Sequence, residues 1–437
     1  MDTNTFSRRN FIKTASAGSL ATLMATPTNV FAGGSSERIR VGVIGLGGRG
    51  TRAGITDCAE ADPTIELVAI GDLFEDHLKA APGIIEQAME RRGLPFKNIY
   101  KVTPDRMFHG FDAYKRVIEC DVDMIILTAP PVFRPIHFKA AVAAGKHVFV
   151  EKPVAVDPVG LRDFIETAEL AKKKGLTVVA GTQMRRALHI KALVEQVRSG
   201  AVGDIHAGQS FRMGGALSNW REDESVRLAK WSDMEWQLRR WLFTVWSSGD
   251  FLVEQHVHNL DIIDWLMGSR PVKALGFGGR QSRVQERYPN VWDHISIEYE
   301  YENGARITHI GSQIDGLTSR NDMRLNGDKG TVVVDFAKAS IDGKNPWTYK
   351  GDSVKPQVQQ YRDMLDAIRN SKPLNEGKQV ADSTATAILG RMAAYSGRNV
   401  SWKWLMNASK LDITPAKWAF GDKPLPAPAV PGEWKLV

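Results

Sequence analysis

Short apolar runs separated by amphipathic stretches fill the chain from Arg38 onward. Residues 39–44 form the first run, 65–70 the second, and 124–127 and 147–150 the next clear ones, while residues 135–144 carry a helical pattern. A helix over 161–174 and a strand over 177–180 close this half. Strands that alternate with helices predict a parallel, doubly wound sheet, because parallel neighbours must be joined by a long crossover. After about residue 200 the pattern changes. Residues 295–301 alternate apolar and polar, Asn303-Gly304 supplies a turn, and residues 305–310 alternate again, which predicts a β-hairpin. Runs at 272–277, 323–325 and 331–334 add strands, with Asn326-Gly327 as a second turn, so this half is read as a mostly antiparallel sheet. Residues 357–370 and 380–394 read as helices, and the tail from Lys423 is Pro-rich and extended. The fold class is therefore α/β, with a doubly wound parallel sheet first and an α+β part with an open sheet after it.

At 437 residues the chain exceeds what one core usually serves, which agrees with two domains. Its 43% hydrophobic and 24% charged residues are ordinary globular values. The first residues differ from the rest. Arg8-Arg9 precedes a weakly apolar stretch over 15–25, and Val30-Phe31-Ala32 has the small-residue pattern of a cleavage site. Residues 1–32 are thus expected to be a twin-arginine export signal, too short in its apolar part to span a bilayer, and the mature protein is expected in the periplasm or otherwise outside the cytoplasm. The net charge of +7 is spread without dense basic tracts, so nucleic acid is not an expected partner. Two cysteines, Cys58 and Cys120, are too few for a disulfide framework or a metal cluster, and no metal site is expected.

Gly45-Leu46-Gly47-Gly48-Arg49-Gly50 follows the first strand directly, and the second strand runs into Asp72 about 20 residues later. This spacing is the dinucleotide fingerprint: a tight turn, close approach of the backbone to a pyrophosphate, and an acid for the ribose hydroxyls. A carboxylate there repels a phosphate, so NAD is expected rather than NADP. Two later strands end in Thr128-Ala129-Pro130-Pro131 and Glu151-Lys152-Pro153, which should border the reacting end of the cofactor. Taken alone, Lys152 reads equally as a solvated surface lysine. His258 alone reads first as a buried core histidine. Glu254 and His258 lie four residues apart on one predicted helical face, with Asp261 three further on.

The glycine fingerprint, Thr128 to Pro131 with His137, the Glu151-Lys152-Pro153 triplet, and Glu254-Gln255-His256-Val257-His258 together resemble the Gfo/Idh/MocA family, named for glucose-fructose oxidoreductase, inositol dehydrogenase and rhizopine catabolism. The resemblance runs from about Arg38 to Lys403. It implies a dinucleotide-binding Rossmann domain over 38–155, a substrate and oligomerisation domain over 156–403 with helices that pack back on the first, and a tail over 404–437. It implies Lys152, His258 and Glu254 as the groups around the reacting carbinol, where the family usually has aspartate in place of Glu254. Expected cofactor contacts are Gly45, Gly47, Gly48, Arg49, Gly50, Asp72, Thr128, Pro130, His137, Glu151 and Lys152. Arg185, Arg186 and His256 are expected on the substrate side, with one of the two arginines packing or pairing structurally and the choice between them open. Trp220, Trp231, Trp236, Trp241 and Trp246 cluster just before the candidate helix with Arg221, Arg239 and Arg240, and flat indoles stack well on sugar rings, so the last four are expected as a sugar platform. Core packing is the competing reading for each.

The implied activity is an NAD-dependent oxidoreductase acting on a sugar, glycoside or polyol, with a cofactor that stays bound because an exported enzyme meets no free pool of it. The alternative is a redox-neutral glycoside hydrolase that works through a transient 3-keto sugar. A third class, a sugar-binding protein without catalysis, fits less well with Lys152 and His258 both present. A homodimer or homotetramer through the C-terminal sheet is expected.

Overall fold

The computed structural model describes residues 38–215, 217 and 226–437. Residues 1–32, expected to be an export signal, and Trp220 and Arg221 lie outside the described residues. Six strands, β1 (Arg40–Ile44), β2 (Glu66–Asp72), β3 (Met107–His109), β4 (Met124–Leu127), β5 (His147–Val150) and β6 (Val178–Ala180), form one parallel sheet in the order β3-β2-β1-β4-β5-β6. Helices cover both faces, so β1, β4 and β5 are buried almost throughout instead of alternating. The order reverses between β1 and β4, which opens a crevice beyond their carboxyl ends. The sheet includes β6, beyond residue 155, because the helix Pro158–Lys173 is itself a crossover that returns the chain to the edge of β5.

The second sheet has nine strands: β7 (Ile205–Gly214), β8 (Pro271–Gly279), β9 (His294–Tyr301), β10 (Arg306–Gln313), β11 (Arg320–Gly327), β12 (Gly330–Asp335), β13 (Ala339–Gly343), β14 (Trp347–Thr348) and β15 (Val400–Ser401). Their order is β14-β13-β12-β11-β7-β10-β9-β8-β15, and only β7 and β10 run parallel. The predicted hairpin is present: β9 alternates buried and half-buried positions, and Gly304 turns the chain at φ +82°. Asn326-Gly327 does not form the second turn. Asn326 pairs with Thr331, so both residues end β11 and the reversal falls on Asp328-Lys329.

The helices Val257–Met267 and Gly377–Ser396 line the inner side of this sheet, and the second also packs on the helix Pro158–Lys173, joining both halves in one core. Apart from the helix Trp402–Asn407, the C-terminal residues are irregular but anchored. Trp292 Nε1 donates to Ala429 O at 3.0 Å, and Asn290 Nδ2 to Pro426 O at 3.2 Å. Cys58 is buried and Cys120 half-buried, and both are free thiols. Among the described residues no helix is long and apolar enough to cross a membrane.

Candidate active site

The site begins where β1 ends. Gly45 turns the chain at φ +99°, and a Cβ there would lie 2.3 Å from Ala129 N, so only glycine fits. A Cβ on Gly50 would meet Gly45 O at 2.0 Å, so the next turn of chain rests directly on the loop. Thr128 Oγ1, at the end of β4, donates to Gly45 O at 2.6 Å and fastens the loop from the other side. Arg49–Gly54 is a wide π-type turn that leads into the helix Ile55–Ala61. Asp72 ends β2, and its carboxylate accepts from Leu46 N at 2.6 Å and Phe74 N at 2.8 Å.

A cleft of about 830 Å³, counted out into open solvent, runs along these strand ends. Gly45, Gly47, Gly48 and Arg49 line one side; Asp72, Thr128, Pro130 and His137 line others, and Gly50 lies behind the loop. The residues fit a dinucleotide. Asp72 presents an acceptor beside the loop, and the buried Nδ1 of His137 has no hydrogen-bond partner among the described residues. Burial pushes the His137 imidazole down to about 3, so it is a neutral ring, stacked on Tyr114 and Phe133 with centroids 4.3 and 5.5 Å away. Asp72→Ala is expected to weaken NAD relative to NADP, measured as the ratio of dissociation constants. An unchanged ratio would show that Asp72 does not read the ribose.

Beyond the loop the wall is built from ion pairs. Arg49 Nε lies 2.5 Å from Glu151 Oε1, and this buried partner raises the guanidinium above its ordinary value. Glu151 does not line the cavity, so its role is to tie the glycine loop to the end of β5. The next residue, Lys152, precedes a cis bond to Pro153. Lys152 Nζ donates to Glu254 Oε1 at 3.0 Å and to the Glu254 main-chain carbonyl. Burial pushes the Lys152 ammonium down from its ordinary value, while Glu254 pulls the other way. His258 is 8% exposed, and burial, followed by the nearby Lys152 and Arg212 cations, holds its imidazole well below 6.5. Glu254 and His258 do not share one regular helix as predicted. Glu254 lies in a π-type turn, Leu252–His256, and His258 in the helix Val257–Met267 that follows. Such turns carry one extra residue and re-aim side chains. Asp250, at φ +71°, starts this segment; its carboxylate accepts from Phe251 N at 2.6 Å and Trp292 N at 3.1 Å, and from the Tyr395 hydroxyl.

Several expected substrate residues lie elsewhere. Arg185 is held by Asp261 in a two-pronged pair, with Nε–Oδ1 2.9 Å and Nη2–Oδ1 2.8 Å, and Arg186 by Asp363 and Glu376 at 3.0 and 2.6 Å. Arg186 is thereby buried between two carboxylates, and Arg185 has its Nε–Nη2 edge committed to Asp261. His256 is 1% exposed and faces the second sheet, 2.8 Å from His309, because residues two apart on a helical segment point to opposite sides. Trp231, Trp236 and Trp246 are 7%, 5% and 4% exposed, which leaves no ring face for a sugar. Trp246 Nε1 donates to Gln237 at 2.7 Å, and Trp231 stacks on Trp236. Their segment folds back over the first domain: Arg239 lies 4.1 Å from the Phe74 ring centroid and 2.9 Å from Asp76. Leu238, Arg239 and the half-buried Trp241 thereby roof the dinucleotide cavity. Residues unremarked at the sequence level are Asp250, with its left-handed backbone, and Arg212 on β7, which donates to Asn259 Oδ1 at 3.1 Å.

Two family models match the chain. An oxidoreductase family with an NAD-binding Rossmann fold covers residues 39–182, and a Gfo/Idh/MocA C-terminal domain covers 190–333. Among curated relatives, 2,7-anhydro-N-acetylneuraminate hydratase of Escherichia coli (strain K12) is 26% identical over 220 residues, 50% of this chain and 53% of that protein. A glycosyl hydrolase family 109 protein of Streptomyces coelicolor is 29% identical over 185 residues, 42% of this chain and 35% of the relative. The chain thus spans about half or less of the length of these relatives. Among solved structures, aldose-aldose oxidoreductase from Caulobacter crescentus, complexed with glycerol, aligns with a TM-score of 0.63 at 20% identity over 84% of this chain and 100% of that one. With both domain models matched in order and the fingerprint, triplet and histidine helix gathered at one crevice, the chain belongs to the Gfo/Idh/MocA oxidoreductase family and its first domain is an NAD-binding Rossmann domain.

Proposed function

We propose that this protein is an NAD-dependent oxidoreductase acting on a CH–OH of a sugar, glycoside or polyol, exported folded by the twin-arginine route with its cofactor inside. The observation that carries the reading is the cluster Lys152, Glu254 and His258, coupled through Glu151 and Arg49 to the loop that lines the dinucleotide cavity. Gly45, Gly47, Gly48, Asp72 and Thr128 would hold NAD, which supplies the hydride acceptor when bound. His258, kept neutral by burial, accepts the hydroxyl proton. Lys152, kept cationic by Glu254, holds the same oxygen and orients it. The exposed Leu275 and Phe277 on β8 support assembly of copies through the outer face of the second sheet.

A second reading, net hydrolysis of a glycoside through a transient 3-keto sugar, is favoured by the resemblance to the family 109 hydrolase, and it begins with the same proton transfer. The full chain, purified without added cofactor, is to be mixed with a panel of sugars and glycosides. Growth of the reduced-nicotinamide band near ~340 nm supports the oxidoreductase, and release of the aglycone without net reduction supports the hydrolase. If the cofactor-loaded protein does neither across the panel, the sugar reading fails.

A further inference from the structure

Three cations around the candidate site are matched with carboxylates. Arg49 pairs with Glu151, Lys152 with Glu254, and Arg185 with Asp261. Among the described residues Arg134 and Arg212 have no carboxylate partner; Arg134 is buried against the Pro153 carbonyl, whereas Arg212 is half-buried on the second sheet. It projects from β7 on the same side as its register neighbour Asn321 on β11, toward the start of the helix that carries His258. Its Nη1 donates to Asn259 Oδ1 at 3.1 Å, and Asn259 Nδ2 in turn donates to Asn321 Oδ1 at 3.1 Å, so the guanidinium is held by a short chain of amides. Its plane lies 5.4 Å from the centroid of Phe336, the same ring that His258 meets edge-on at 6.3 Å. Among the described residues no carboxylate lies within 4.0 Å of it, and Nε and Nη2 have no hydrogen-bond partner. Burial lowers the guanidinium from its ordinary value, and the more distant Glu254 offsets this only in part.

Arg212 is half-buried, so it gives up part of its hydration with no ion pair in return, and a ligand carboxylate that reached it would supply the missing charge. With Nη1 committed to Asn259, the Nε–Nη2 edge presents two parallel N–H donors, the fork that fits a carboxylate. Arg212 shares Phe336 with His258, so the ligand that meets this edge is the one whose hydroxyl meets His258.

We propose that Arg212 is the specificity-determining residue of the site and binds the carboxylate of an acidic sugar, a uronic or ulosonic acid or a glycoside of one. The proposal rests on the reading of Lys152, Glu254 and His258 as a site for sugar chemistry and narrows its substrate class. A neutral sugar would leave the fork edge of Arg212 unpaired on closing the site.

The test is calorimetric binding to the full, NAD-loaded chain, with D-glucuronate, D-galacturonate and N-acetylneuraminate as probes beside D-glucose and D-galactose. At least one acid is expected to bind ~10–100-fold more tightly than the neutral sugars, the worth of one charge-assisted fork. Arg212→Gln should remove that preference while leaving NAD content, melting temperature and neutral-sugar affinity in place, and Arg212→Lys should restore only part of it. Equal binding of acids and neutral sugars, no binding of any acid, or an acid preference that survives Arg212→Gln would each overturn the proposal. The functional reading itself is tested separately by turnover. Acid binding that depends on Arg212 but gives neither nicotinamide reduction nor glycoside cleavage would retain the anion site and remove the enzyme.

Discussion

Replacing His258 or Lys152 by alanine is expected to lower turnover by at least ~10²-fold while NAD remains bound, because a positioned proton acceptor and a positioned cation are each worth about that much. Neither side chain lines the dinucleotide cavity, so cofactor content should change little. Loss of NAD from Lys152→Ala would instead make Lys152 a cofactor ligand. The pH profile separates the two candidate bases. A histidine that must be neutral loses activity as pH falls through its own value, and burial holds His258 well below 6.5. The acid limb should therefore lie below the range of an ordinary histidine, with turnover nearly level from neutral pH down through 6.5. If Lys152 were the base, it would have to lose its proton, and turnover would climb with pH across the alkaline range, toward a value below that of a free lysine. Glu254→Gln gives a further check. It removes the charge that holds Lys152 cationic while keeping the hydrogen-bonding shape, so a profile that shifts while the cofactor content stays constant identifies Glu254 as the residue that sets the state of Lys152.

The parts of this site legible in the sequence are those where a local constraint admits few residues. Gly45 and Gly50 are forced by a left-handed turn and by backbone at 2.0 Å, and Asp72 by a register that places it at the end of the second strand. Such constraints act over a few residues of chain. The misplaced residues depend on tertiary context that no short pattern encodes. His256 is expected on the substrate side, yet two positions from His258 it points to the opposite side of the segment and meets His309, while His258 stays near Lys152. The tryptophans were ambiguous between platform and core because both need flat apolar faces. What decided the matter was where the helix Asp233–Arg239 lands, against Phe74 and Asp76 of the first domain. Arg212 had no sequence signature, since a charged residue in an alternating strand usually points to solvent, and only the inward face of β7 gives it a site.

The same folding back predicts how the cofactor is kept. The full chain, purified without added NAD, is expected to carry close to one NAD per molecule, and the C-terminal tail is expected to hold it there. Leu238, Arg239 and Trp241 roof the cavity from the second domain, and the tail presses on its walls. Phe420 stacks on Phe74 at 6.0 Å and meets Phe111 at 5.0 Å, while Trp418 packs on Phe133 at 4.8 Å and on Trp246 at 6.4 Å. Phe74, Phe111 and Phe133 all line the cavity, so a dinucleotide cannot leave without disturbing rings that the tail holds down. Phe420 is 45% exposed, which means that its removal opens no core cavity and should cost little global stability. The double variant Trp418→Ala/Phe420→Ala is therefore expected to release NAD at least ~10-fold faster, about 1.4 kcal/mol off the barrier, and the stability lost with the half-buried Trp418 is separated from this by Phe420→Ala alone, which should melt near the parent once NAD is added back. Protein that emerges without NAD, or a double variant that retains it as long as the parent does, would defeat the retention argument. Rapid exchange in the parent would also remove the physical basis for proposing that the cofactor travels with the folded enzyme through an export route.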